Sequence, residues 1–155
     1  LLPYGYTDAT TWLHAMAEGT LEAVQCDFAV MLSPAMFAQF VMPDLRRLTD
    51  AFQYSLYHLD GTCQLRFLDQ LATLPRLNGI QWNPEPPAGS PVRWLDALRA
   101  IRARGWVLHV GCETTEEAIT LTRELGPDGL FIVLPRFDSF DTAEEAIRRI
   151  ERAVP

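Results

Sequence analysis

The sequence contains no lysine: all 13 basic side chains among its 155 residues are arginine. That absence excludes a Schiff-base lysine, a pyridoxal-phosphate lysine and a phosphate-loop lysine. Cysteine is scarce. Cys26, Cys63 and Cys112 are widely spaced and form no C-x-x-C pair. An odd, scattered set fits reduced thiols in a cytoplasmic protein better than a disulfide framework. Basic charge is in deficit, since 20 acidic side chains give a formal net charge of −7. This argues against a protein that tracks nucleic-acid phosphates. No apolar run reaches the roughly 18 residues of a membrane-spanning helix. Residues 1–10 lack the basic and apolar regions of a signal peptide. GxSxG, GxGxxG and HExxH are also missing, which removes the usual hydrolase, dinucleotide and zinc-protease signatures.

What remains is ordinary globular material. Apolar residues make up 48% of the chain, enough for a sizeable core in one domain. A first helix is expected over 7–23, with Thr7-Asp8 as cap and Trp12, Ala15, Met16 and Gly19 on one face. A strand follows over 24–32. Ser33-Pro34 is a cap-then-proline helix start, and Phe37, Phe40, Val41, Leu45, Leu48 and Phe52 carry helical spacing over 34–52. Pro43 should kink or break that helix. Strands are then expected over 54–60, 79–82, 106–111 and 129–135. Helices should fill 63–74, 91–104, 115–125 and 142–153, the last capped by Asp141 or Thr142.

Strict alternation of strand and helix after residue 24 requires parallel strands joined by right-handed crossovers. The fold class is therefore α/β with about five parallel strands. A doubly wound sheet and part of an eight-stranded barrel both satisfy it. A complete barrel needs about 200 residues or more, so this length suits only its larger half. The leading Leu1 in place of Met fits a truncated chain.

In both architectures the functional groups gather beyond the carboxyl ends of the strands. The second strand ends in Tyr57-His58-Leu59-Asp60, and alternation puts His58 and Asp60 on one face. Such a polar pair suits acid–base work, substrate binding or metal ligation. The third strand ends in Gln81-Trp82-Asn83. Gln81 and Asn83 share a face, while Trp82 reads as core or pocket wall. The fourth ends in His109-Val110-Gly111-Cys112. Joint metal binding by His109 and Cys112 would need the turn at Gly111 to re-aim one of them, and a buried, inert thiol is the plainer state of Cys112. The fifth ends in Pro135-Arg136, where Arg136 can clamp an anion. Asp27, inside the first strand, either lines the interior or marks a shorter strand. His14 reads as structural.

Three segments together carry a family resemblance: the Ser33–Pro43 helix start, YHLDG ending at Gly61, and GIQW over 79–82. The chain resembles the uroporphyrinogen decarboxylase-like superfamily over residues 24–153, in its C-terminal half. That superfamily includes corrinoid-linked methyltransferases and is related to cobalamin-independent methionine synthase. The resemblance implies a partial (β/α)8 barrel with 1–23 as an added helical segment. It also implies an active site at the barrel mouth and a small anionic or methylated substrate. In the methyltransferase branch it implies a corrinoid protein partner, and zinc held by a His-x-Cys plus a later Cys. Here Asp60 stands where that first Cys would be, and Arg136-Phe137 follows the last strand. This leaves His58 and Asp60 as a nitrogen–oxygen metal pair. The expected roles are thus His58, Asp60 and His109 in catalysis, with Gln81, Asn83, Trp82 and Arg136 around the substrate. The alternatives are a non-catalytic half-barrel that pairs with a second copy or binds a partner, and an independent flavodoxin-like domain.

Overall fold

The computed structural model describes residues 8–87 and 89–154. The chain divides into two compact units, Leu1–Gln81 and Trp82–Pro155. It begins with an antiparallel hairpin of β1 (Asp8–Thr10) and β2 (Met16–Glu18). Five further strands follow: β3 (Leu21–Gln25), β4 (Tyr54–Asp60), β5 (Gly79–Asn83), β6 (Val107–Gly111) and β7 (Leu130–Val133). They form one parallel sheet whose neighbours follow chain order, β3-β4-β5-β6-β7. The α/β class and the strand count expected from the sequence are therefore observed. Among the described residues no closed barrel is seen.

The hairpin corrects the helix expected over 7–23; its cap residue Thr7 lies outside the described residues. The apolar pattern there has period two rather than 3.6. Leu13 and Ala15 point inward and are buried, while Trp12 and Met16 are 58% and 72% exposed. His14 sits in the left-handed region at φ 60 and closes the turn, its N–H donating to the Thr11 carbonyl at 3.1 Å. Gly19 (φ 96) then turns the chain into β3, and a Cβ there would strike the Gln53 side chain. That close approach serves a clasp. Thr20 N–H donates to Gln53 Oε1, and Gln53 N–H donates to Thr20 Oγ1, both at 2.9 Å. The clasp sets the start of the β3–β4 pairing, which runs parallel from Leu21↔Tyr54 to Gln25↔His58.

β3 is shorter than the expected strand over 24–32. It ends at Gln25, and Asp27–Met31 forms a 3-10 turn. Ser33 then caps a continuous helical run as expected, its Oγ accepting from Met36 N–H. That run is α1 (Pro34–Met36), a π turn (Phe37–Val41) and α2 (Met42–Ala51). Pro43 does not break it. The π turn lets Met42 N–H reach back to the Phe37 carbonyl, which absorbs the register that proline would otherwise disrupt. Phe37 is fully buried and stacks on Phe67, ring centroids 4.1 Å apart. In the same unit Leu45, Tyr57, Leu59, Leu71 and Ile80 are each at most 2% exposed. The helix expected over 63–74 is a 3-10 turn (Thr62–Phe67) followed by a short α3 (Leu68–Leu71).

In the second unit, Ser90 caps a 3-10 turn (Pro91–Trp94) that leads into α4 (Leu95–Arg102). α5 (Thr115–Leu125) carries a complete capping box between Thr114 and Glu117, which satisfies two otherwise unpaired amide donors. The last helix, α6 (Phe140–Glu151), is capped by Ser139 rather than Asp141 or Thr142. Ser139 has extended backbone and its Oγ accepts from Thr142 N–H. Asp141 and Thr142 already lie in the first turn, so neither occupies the cap position.

Candidate functional site

β4 is buried along nearly its whole length, so its two faces must both be covered. Ser55, Tyr57 and Leu59 share one face; Leu56, His58 and Asp60 share the other. Leu56 packs with Ala23 of β3 and with Leu13 and Ala15 of the hairpin. The hairpin therefore covers the face that carries His58. Beyond Leu13 the Trp12 ring stands edge-on to the His58 ring, centroids 5.0 Å apart at 73°.

His58 is 8% exposed. Its Nδ1 contacts Oε1 of Gln81, which lies on β5. An amide oxygen only accepts hydrogen bonds, so Nδ1 donates in this contact, and in the neutral ring Nε2 would keep the lone pair. Nε2 lies 3.9 Å from Oδ1 of Asp60. Asp27, at the start of the 3-10 turn after β3, completes a group of three. One ligand atom each from Asp27, His58 and Asp60 lies within 4.8 Å of the others.

The segments after β3 and β4 are held in place from below. Gln64 is fully buried; it accepts from the Tyr57 hydroxyl at 2.7 Å and donates to the Asp60 carbonyl at 2.7 Å. Gly61, at φ 93, provides the left-handed turn that brings Gln64 back under Asp60. Arg66 donates to the carbonyls of Ala29, Val30 and Leu32 at 3.3, 3.0 and 2.9 Å. It thereby ties off the far end of the turn that Asp27 begins. Burial, together with the nearby Cys26 thiol and Asp27 and Asp60 carboxylates, pushes the Tyr57 hydroxyl well above the usual phenol range. The hydroxyl thus stays protonated and serves as a structural donor to Gln64.

Of the residues singled out from sequence, His58, Asp60 and Gln81 are brought together here. Asp27, expected mid-strand, is instead beyond the strand end and joins them. Trp12 was placed on a helix face and is instead part of the site wall. The other four belong to the second unit. His109, on β6, is buried and stacks on Phe131 of β7, centroids 4.8 Å apart and nearly coplanar at 12°. Trp82, read from the sequence as core or pocket wall, is 3% exposed and packs against Trp94. Asn83 is half-buried at the end of β5, and Arg136 is exposed beyond β7.

Cys112 is buried as expected, and burial pushes its thiol from 9.0 to about 12, with Glu117 and Glu113 adding to the shift. A thiol raised in the folded state stabilises the fold fully below the unfolded value and progressively less above it. Unfolding in urea should therefore become easier as pH climbs from 9.0 towards about 12. At neutral pH a maleimide should label the exposed Cys63 and spare Cys112 until urea unfolds the chain. Rapid labelling of Cys112 in the native protein would contradict this burial.

The donor set does not fit the thiolate zinc of the methyltransferase branch. Asp60 supplies oxygen at the cysteine position, and no cysteine sulfur belongs to the group of three. Burial raises the pKa of the neighbouring Cys26 thiol, which disfavours the thiolate a zinc site uses. Among the described residues no helix is long and apolar enough to cross a membrane. No protein-family model, curated protein or solved structure matches the chain.

Proposed function

We propose that the chain is part of a uroporphyrinogen decarboxylase-like barrel enzyme that acts on a small anionic or methylated substrate. The observation that carries this reading is the convergence of Asp27, His58 and Asp60, with Gln81 behind them, beyond the ends of successive parallel strands. The strand order supports the barrel. A doubly wound sheet reverses its order at a switch point, whereas β3-β4-β5-β6-β7 runs without reversal. Eight strands close such a barrel, so the five present would form its larger part.

The site's charge narrows the substrate. Two carboxylates meet a methylated ammonium group directly, and the Trp12 ring adds an aromatic wall of the kind that cations prefer. A bare carboxylate would be repelled unless a cation stood between. His58, held through Nδ1 by Gln81, presents Nε2 to whatever is bound. A thermal-shift screen tests the reading with two probes, succinate for the anion and tetramethylammonium for the methylated cation. At least one should stabilise the wild-type chain and not the His58→Gln variant. If neither probe shifts the wild type, the substrate reading fails.

A second reading, a non-catalytic half-barrel that pairs with another copy, is favoured by the poorly covered β7. Phe131 is 39% exposed there. An open apolar groove beside it is lined by Leu130, Ile132, Leu134, Ile147 and Val154. Exposed strand edges and apolar grooves promote association. Light scattering of the same sample decides it, since a monomer at all concentrations removes self-pairing.

A further inference from the structure

We propose that Asp27, His58 Nε2 and Asp60 form a site for a hard divalent cation of the manganese or ferrous class, held by oxygen and nitrogen without thiolate. The inference rests on the reading of this site as the substrate site and selects its anionic branch. The cation would neutralise both carboxylates and give an anionic substrate an open position to bind.

Three observations carry it. The first is spacing. Ligands around one ion with bonds of about 2.1 Å lie roughly 3–4.2 Å apart. His58 Nε2 and Asp60 Oδ1 are already 3.9 Å apart, and the whole group falls within 4.8 Å. Asp27 is exposed, so its side chain can close the remaining gap by rotation. The second is the tautomer. Metal-binding histidines almost always give their other N–H to a carboxylate or carbonyl. Gln81, which is not one of the three and lies on a different strand, accepts from Nδ1 and leaves Nε2 on the side of Asp60. The third is donor chemistry. Two carboxylates and one imidazole suit manganese and ferrous ions better than soft, thiol-seeking ones.

Arg66 is committed to backbone carbonyls at the other end of the Asp27–Met31 turn.

The test uses the whole chain, stripped with EDTA and desalted, then titrated with Mn2+ while the electron paramagnetic resonance signal of free Mn2+ is followed. A single saturable site at micromolar metal is expected. Asp27→Asn should weaken it at least about tenfold, a loss that even outer-shell changes produce, and circular dichroism should show an unchanged fold. Asp60→Asn provides an independent second variant with the same expected loss. Cobalt substituted at the site should show visible ligand-field bands without a sulfur-to-metal charge-transfer band. Mn2+ that stays free, or affinity untouched in both variants, overturns the proposal; so does a thiolate band. Repeating the succinate shift in EDTA separates this proposal from the substrate reading. A shift that survives EDTA in a chain that binds no Mn2+ removes the metal site and leaves the substrate site standing.

Discussion

Phe37→Ala should lower the free energy of unfolding by about 3–5 kcal/mol, the usual loss for a buried aromatic truncated to alanine. Phe37 has no exposed surface and its ring lies almost parallel to that of Phe67, at 10°. The substitution removes the transfer energy of the ring and the stacking contact, and it opens a cavity that neighbours cannot easily fill. Those neighbours are constrained. Phe67 ends the 3-10 turn after β4, and Arg66 beside it is spread over three carbonyls. Phe37 itself sits in the π turn, immediately before the helix that carries Pro43. A domain of this size is stable by only about 5–15 kcal/mol in total, so the change is a large share. Urea denaturation followed by tryptophan fluorescence measures it. A loss below about 1 kcal/mol would mean that the site collapses freely and that this stack is not the centre of the first unit's core.

The second large effect is expected at Gln81. Gln81→Leu keeps much of the volume and removes the acceptor for His58 Nδ1. His58 is 8% exposed, so its N–H would be stranded in the interior, at a cost of about 1–3 kcal/mol. The imidazole also loses the contact that selects its tautomer. A proton moved to Nε2 would block the lone pair aimed at Asp27 and Asp60. Mn2+ affinity should then fall by about 10–100-fold, the range for lost outer-shell partners. Gln81→Glu retains an acceptor oxygen and should restore most of the affinity. That rescue separates positioning of His58 from simple loss of packing. Equal Mn2+ affinity in wild type and Gln81→Leu would show that Gln81 does not set the tautomer.

Much of the fold was legible because its signals are local. β4 occupies the expected 54–60, and α5 the expected 115–125. Both have clear punctuation: Gly61 after the strand, Thr114 and Glu117 before the helix. The pairing of His58 with Asp60 on one face followed from the two-residue period alone. Capping by Ser33 and Ser90 followed from serine before proline.

The hairpin over Asp8–Glu18 was not legible. Trp12, Ala15 and Met16 fit a helical face as well as Leu13 and Ala15 fit an alternating one. Only the cover needed by Leu56 and Ala23 decides between them. The end of β3 was hidden for a similar reason. The run VQCDFAVML is apolar enough for a buried strand or a buried turn, and periodicity cannot separate these. Had the strand continued, Asp27 would have been buried within it. The one available signal was an acidic residue inside an apolar run just before a helix start.

Local chemistry thus dictated the strands and helices with strong caps, the α/β class, and the shared face of His58 and Asp60. It also excluded lysine chemistry outright. Tertiary pairing decided the rest. The register from Leu21↔Tyr54 to Gln25↔His58 ends β3 where it does and releases Asp27 towards Asp60. The adjacency of β4 and β5 brings Gln81 to His58 across 23 residues of chain. The physical reason is that a side chain's face follows from its own strand, whereas its partner depends on which strands lie side by side. Sheet pairing is set by burial summed over whole elements, and no short stretch of sequence contains that sum.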